Sequence, residues 1–266
     1  MIDIVPDMPP HSVQRYKLTI EYDGRGLVGW QHQEGLPSIQ VWLEAAIARF
    51  CGVYTECVAS GRTDAGVHAG GQVVHVDLPP RHTTYAIVHG INHHLREIAA
   101  EIQWHCCPIS ILEAAPVPAD FHARFSAKQR GYTYKICNRP GQLTWQRGLM
   151  WHVPQPLDVH AMQKAASDLV GTHDFTSFRS QGCQAQSPVK TVDACMITSQ
   201  EDMVLVTVVA RSFLYHQVRN MVGTLVQIGR HKRAVTSIPE MLAAKSRAAA
   251  GPMAPADGLY FMFVKY

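Results

Sequence analysis

Hydrophobic and polar positions change period repeatedly along the chain, and each change marks an element. In RYKLTIEYDG, Tyr16, Leu18, Ile20 and Tyr22 alternate with Lys17, Thr19 and Glu21 before the run stops at Asp23-Gly24. A period of two closed by a turn dipeptide predicts a half-buried strand. SIQVWLEAAIARFCG shifts to a helical period, with Ile39, Trp42, Leu43, Ala46, Ile47 and Phe50 on one face between Ser38 and Gly52. That is a helix with an N-cap and a glycine stop. The same reasoning predicts strands over 54–59 and 72–78, a helix over 84–95 and a strand over 102–107. The second half predicts a strand over 131–137, a helix over 158–170 and strands over 189–197 and 203–210. A long helix follows, with Leu214, Val218, Met221, Leu225 and Ile228 facing the core. A further helix runs from a capping box at Ser237 and Glu240 to Gly251, and GLYFMFVKY closes as a strand.

The two orders, βαββαβ and βαββααβ, are successive split βαβ units. They predict an α+β protein of two tandem ferredoxin-like or RRM-like domains. The Pro-rich stretch 108–118 supplies a boundary, giving domains over 15–118 and 119–266 behind a flexible tail of residues 1–14. A cleft between two such units is a favoured place for a site.

Composition narrows the class of protein. The 266 residues are 47% hydrophobic and 17% charged, which excludes disorder along the whole length. Seven Cys with no C-x-x-C pair point away from a disulfide framework or zinc ribbon and toward reduced thiols in a cytoplasm. The longest apolar run, MVLVTVVA, is too short to span a bilayer, so no membrane anchor or export signal is expected.

Charge changes the picture more than its total of +3 suggests. Residues 119–150 hold Arg124, Lys128, Arg130, Lys135, Arg139 and Arg147 against Asp120 alone. Residues 211–235 hold Arg211, Arg219, Arg230, Lys232 and Arg233 with no acid. Basic charge concentrated in two tracts is a polyanion footprint if the tracts meet in space, and a solvated face if they do not.

Candidate chemistry lies in ASGRTDAGVHAGG, residues 59–71, where four glycines surround Arg62, Asp64 and His68 between two predicted strands. Such a loop lets a ligand approach the backbone. On these residues alone Asp64 is a turn cap or a functional carboxylate. The loop lacks the Gly-Lys-Ser/Thr ending of a P-loop, and no G-x-S-x-G elbow is present. Among 15 His, His89 and His93 are four apart but have no Glu between them, so no metal site is signalled. An RNA-binding chaperone without chemistry is a rival for the basic tracts, but binding alone requires no carboxylate facing a polyanion.

GRTDAGVHA, RFSAKQRGYTYKI, DFTSFR, FLYHQVRNMVGTL and DGLYFMFVKY, with IEYDG and GWQ ahead of them, follow one another from about residue 16 to the end. Together these blocks resemble the tRNA pseudouridine synthase A family. The resemblance implies a pseudouridine synthase fold with a mixed, largely antiparallel sheet and a central cleft. It implies a cofactor-free isomerase acting on uridines at tRNA positions 38, 39 and 40 in the anticodon arm, and a homodimer with tRNA across both subunits. Carried over by residue, it makes Asp64 the nucleophile and Arg219 its partner. Tyr132 becomes the ring that stacks on an extruded uracil, Leu259 a pocket wall, and Arg62 the residue entering the RNA where the target leaves. Phe121, His122, Ala123, Arg124 and Phe125, with Phe175, Thr176, Ser177, Phe178 and Arg179, match stretches that contact tRNA. The residues leave open whether Asp64 attacks the sugar C1′ or the base C6, or acts as a base. The chain departs from the family at Gln217, where Met is usual, and at INHHLREIAA, which replaces an Asn-Leu-Pro type of turn.

Overall fold

The computed structural model describes residues 13–266. The tail expected over 1–14 therefore lies outside the described residues except for exposed Val13 and for Gln14, which opens the first strand.

The elements of the first half are β1 (Gln14–Tyr22), α1 (Ile39–Cys51), β2 (Val58–Ala59), β3 (His68–Leu78), α2 (Thr84–Glu101) and β4 (Ile109–Pro116). Ser38 caps α1 by accepting from the Val41 amide, and Gly52 ends it at φ 77°, as the sequence predicts. The second half holds β5 (Gln129–Cys137), β6 (Trp151–His152), α3 (Val159–Ser167), β7 (Gly171–Asp174), β8 (Val189–Gln200), β9 (Met203–Ala210), α4 (Gln217–Gly229), α5 (Ser237–Ala244) and β10 (Leu259–Lys265).

Four expectations change. The strand expected over 102–107 is absent, because α2 runs to Glu101 and the chain then turns through Gln103 at φ 56°. Trp104 folds back there, its amide bonded to the Ala99 carbonyl and its ring edge-on to Trp42 at 5.4 Å. The strand is instead β4, inside the stretch read as a Pro-rich boundary. The strand expected over 54–59 shrinks to β2. The capping box is not formed: Thr236 is the cap of α5 with no side-chain bond, Ser237 Oγ bonds the Ala234 carbonyl, and the helix ends at Ala244.

All strands join one sheet in the order β4-β1-β3-β10-β5-β9-β8-β7, with β2 on β3 and β6 on β5. Every pair is antiparallel except β3 with β10 and β5 with β6. Strands from the two halves of the chain meet at β3 and β10, where Tyr260 lies opposite His68 and Phe261 opposite Ala69. Burial follows two large clusters and a small third one of Cys137, Leu143 and Met150. Helices α1 and α2 pack on β1, β3 and β4 through residues such as Leu43, Ile47, Ile91, Leu18 and Val76. Helices α3, α4 and α5 pack on β5, β8 and β9 through Met162, Leu225, Ile238, Tyr134 and Val206. Tyr132 packs against both clusters. Among the described residues, no helix is long and apolar enough to cross a membrane.

Candidate active site

The loop ahead of β3 lies beside the line where the two sets of strands join, and backbone from residues 23–30 holds it in place. The Trp30 amide donates to the Thr63 carbonyl at 3.0 Å, and the Gly66 amide to the Leu27 carbonyl at 3.3 Å. Gly24 and Gly29 permit this approach. A Cβ on Gly24 would stand 2.2 Å from the Val67 carbonyl oxygen, and one on Gly29 2.5 Å from the Thr63 carbonyl oxygen and 2.8 Å from the Asp64 carbonyl carbon. Gly29 also sits at φ 97°, which side chains resist. Gly29→Ala should therefore destabilise the fold by about 1–3 kcal/mol in urea melts. It should also cut turnover of the folded fraction by more than about tenfold, because backbone displaced there carries Asp64 with it.

Side chains complete the brace. Tyr22, buried in β1, hydrogen-bonds Thr63 Oγ1 at 2.8 Å, and burial pushes its hydroxyl up to about 12. His68 accepts the Gly24 amide at Nδ1 (3.1 Å), while Nε2 lies 3.0 Å from the Gly148 carbonyl and the ring stacks on Tyr260. An imidazole accepting at Nδ1 is neutral there, in keeping with the downward shift that burial imposes on it. His68 is a strap for the loop.

Asp64 projects from this brace toward α4. Its Oδ2 accepts a hydrogen bond from Arg219 Nη1 at 3.3 Å, and His216 Nε2 stands 3.3 Å from the same oxygen. No protein hydrogen bond engages Oδ1 among the described residues, so Oδ1 is the oxygen available to a substrate. Arg219 stands on α4 beside the core stripe of Val218 and Met221 but does not face solvent. Its side chain is only 11% exposed, and Nε donates to the Ala254 carbonyl at 2.9 Å. That second bond fixes the guanidinium plane.

His216 was not singled out from the sequence. It precedes α4 in the left-handed region, φ 61°, its ring stacked on Tyr215 at 3.6 Å. Burial chiefly lowers its pKa; Asp64 opposes that shift, while Arg219 and Arg247 reinforce it. The signal was its position three residues before Arg219, which at a helix N-terminus puts both on one side.

Tyr132 in β5 is wedged edge-on between Phe213 (5.2 Å) and Phe261 (4.8 Å), which sets its ring plane. Burial chiefly, with the negative charge of Asp64 adding to it, pushes its hydroxyl far above the ordinary tyrosine value. The group stays protonated at neutral pH. Leu259 opens β10, which is central in the sheet rather than an edge strand, and lines the same cleft.

The cleft encloses 990 Å³ and brings together Asp64, Arg219, Tyr132, Leu259, Arg62 and Arg124. Arg62 makes no ion pair among the described residues. The other residues expected to meet tRNA are placed differently. Ala123, Phe175, Ser177 and Phe178 are fully buried, so their side chains build loops rather than surface. Phe121, His122, Phe125, Thr176 and Arg179 lie outside the cleft wall; Phe125 is 71% exposed over His122, and Arg179 bonds the Cys183 and Ala185 carbonyls.

Arg130, counted in the basic tract, is no surface charge. It is buried and bonds the carbonyls of Ser60, Arg124 and Arg211, tying three walls together. On the far surface of α2, His93 and His94 both approach Glu97, at 3.1 and 2.8 Å. These three could hold a metal ion; the sequence signal, missed beside the His89 and His93 pair, was the i, i+4 and i, i+3 spacing of His93 and His94 to Glu97.

Residues 165–266 match the family model described as tRNA pseudouridine synthase. A protein of Rhodospirillum rubrum named tRNA pseudouridine synthase A is 49% identical over 252 residues, covering 95% of this chain and 87% of its own. Proteins of the same name from Acidiphilium cryptum and Parvibaculum lavamentivorans are 46% and 49% identical. They cover 96% and 95% of this chain, and 97% and 99% of their own.

Proposed function

This chain belongs to the tRNA pseudouridine synthase A family and isomerises uridine to pseudouridine, and on that premise we propose that it acts on positions 38, 39 and 40 of the tRNA anticodon arm with Asp64 as nucleophile. The observation that carries the proposal is the carboxylate held at one oxygen, with the other open to a cleft beside an aromatic ring. In the reaction the N1–C1′ bond breaks and a C5–C1′ bond forms, the C5 proton leaves and N1 gains one. Atoms and electrons balance without oxidant or reductant. The carboxylate keeps sugar or base bound while the base turns.

Tyr132 supports a flipped base. Stacking on a ring offsets part of the few kcal/mol lost in unstacking the nucleotide. Tyr132→Phe should keep most of the rate because the ring that stacks is retained. Tyr132→Ala should weaken the catalytic complex by about 1–3 kcal/mol. Single-turnover rates with a urea melt of each variant separate this from core loss, and wild-type rates in folded Ala variant would make Tyr132 only a packing residue.

The division into units 15–118 and 119–266 belongs to the same reading, supported by clusters drawn almost wholly from one half each. Homodimer and cytoplasmic location rest on the family alone. Three tRNA transcripts, each with a single uridine among positions 38, 39 and 40, test the assignment. Pseudouridine should form at each; formation only elsewhere in the tRNA would overturn the positions.

A further inference from the structure

A second groove, of 730 Å³, lies where β5 and β8 begin and β9 and β10 end, and no role has been given to it. Lys128, Lys190, Arg211 and Lys265 line it; Lys128, Arg211 and Lys265 are exposed and Lys190 half-buried. None of the four forms an ion pair among the described residues. The groove's acid, Asp193, accepts the Gln129 side-chain amide at 3.0 Å.

Four cations against the single carboxylate of Asp193 leave the groove net positive, and an anion bound there relieves the repulsion among them. The groove also adjoins the active-site cleft. Ser212 lines both it and the cleft holding Asp64. The buried Arg130 guanidinium bonds the Arg211 carbonyl of the groove wall and the Ser60 and Arg124 carbonyls of the cleft wall.

Resting on the tRNA reading of the cleft, we propose that this groove binds consecutive backbone phosphates of the substrate RNA flanking the target nucleotide. Phosphates held there carry no sequence information; they add affinity for the RNA on either side of the target nucleotide. Lys190 and Lys265, which lie outside the two basic tracts, join Lys128 and Arg211 in one site.

The test uses the full chain and an unmodified tRNA transcript. Lys128→Ala, Lys190→Ala and Lys265→Ala are made singly and together, and binding is measured across a salt series alongside the single-turnover rate at saturating protein. The triple variant should bind about tenfold or more weakly at low salt. Its slope of log K against log salt should fall by about 2, at roughly 0.7 to 0.9 per lost phosphate contact. The saturated rate should stay within about twofold, since none of the three touches Asp64 or its partners. Unchanged affinity and slope would make the groove a solvated patch, and a lost rate at unchanged affinity would also overturn the proposal. Wild-type protein that makes no pseudouridine in tRNA would instead refute the reading of the cleft, which keeps the two failures distinct.

Discussion

Asp64→Asn will abolish isomerisation, by about 10⁴-fold or more, while tRNA binds as well as to wild type or slightly better. The amide matches the carboxylate in size, so the brace at Gly24, Gly29 and Tyr22 is undisturbed, but it is no nucleophile at neutral pH. Removing an anion from a cleft that receives a polyanion lowers repulsion, so affinity has no reason to fall. Single-turnover assays with a binding isotherm on the same preparation check both halves. Weak binding with a retained rate would make Asp64 a structural residue of the RNA interface.

Arg219→Ala should lower the single-turnover rate by about 10²-fold or more, again with modest change in affinity. The guanidinium bonds Asp64 Oδ2 and the Ala254 carbonyl together. Without it the carboxylate is free to rotate, and misplacing a reacting group by about 1 Å costs on the order of 10²-fold. Lys cannot make both bonds through one nitrogen in a fixed plane, so Arg219→Lys should recover only part of the rate. Losing a hydrogen bond from a charged group also costs about 1.5–3 kcal/mol of stability. A urea melt distinguishes unfolding from lost chemistry, and an Ala variant turning over at the wild-type rate would remove Arg219 from the mechanism.

Local elements were legible where side chains face one core. The alternation of β1 and the apolar stripe of α1 are burial patterns, and both elements fall where they are expected. Strand β4 was hidden by Pro108, Pro116 and Pro118, which suggested a linker. It pairs only with β1 at the sheet edge, where proline at a strand end is tolerated. The joining of β3 to β10 was not readable, because long-range pairing leaves no mark in a local period.

The site was legible by another route. Asp64, Tyr132, Arg219 and Leu259 come from distant segments, and only the family blocks linked them; on the residues alone Asp64 reads first as a turn cap. Arg130 shows the limit of counting charge: its burial among carbonyls has no signature in composition.

The central claim is that this cleft moves a glycosidic bond to C5 of an anticodon-arm uridine through Asp64. When C5 bonds to C1′ its hydrogen is released, so a tRNA carrying tritium at C5 of uridine 39 reports the step directly. With saturating wild-type protein, tritium should pass to water in a single exponential, one equivalent per tRNA, with pseudouridine at position 39. With Asp64→Asn bound to the same tRNA, none should be released. Equal release by the two proteins, or none by the wild type, would contradict the account.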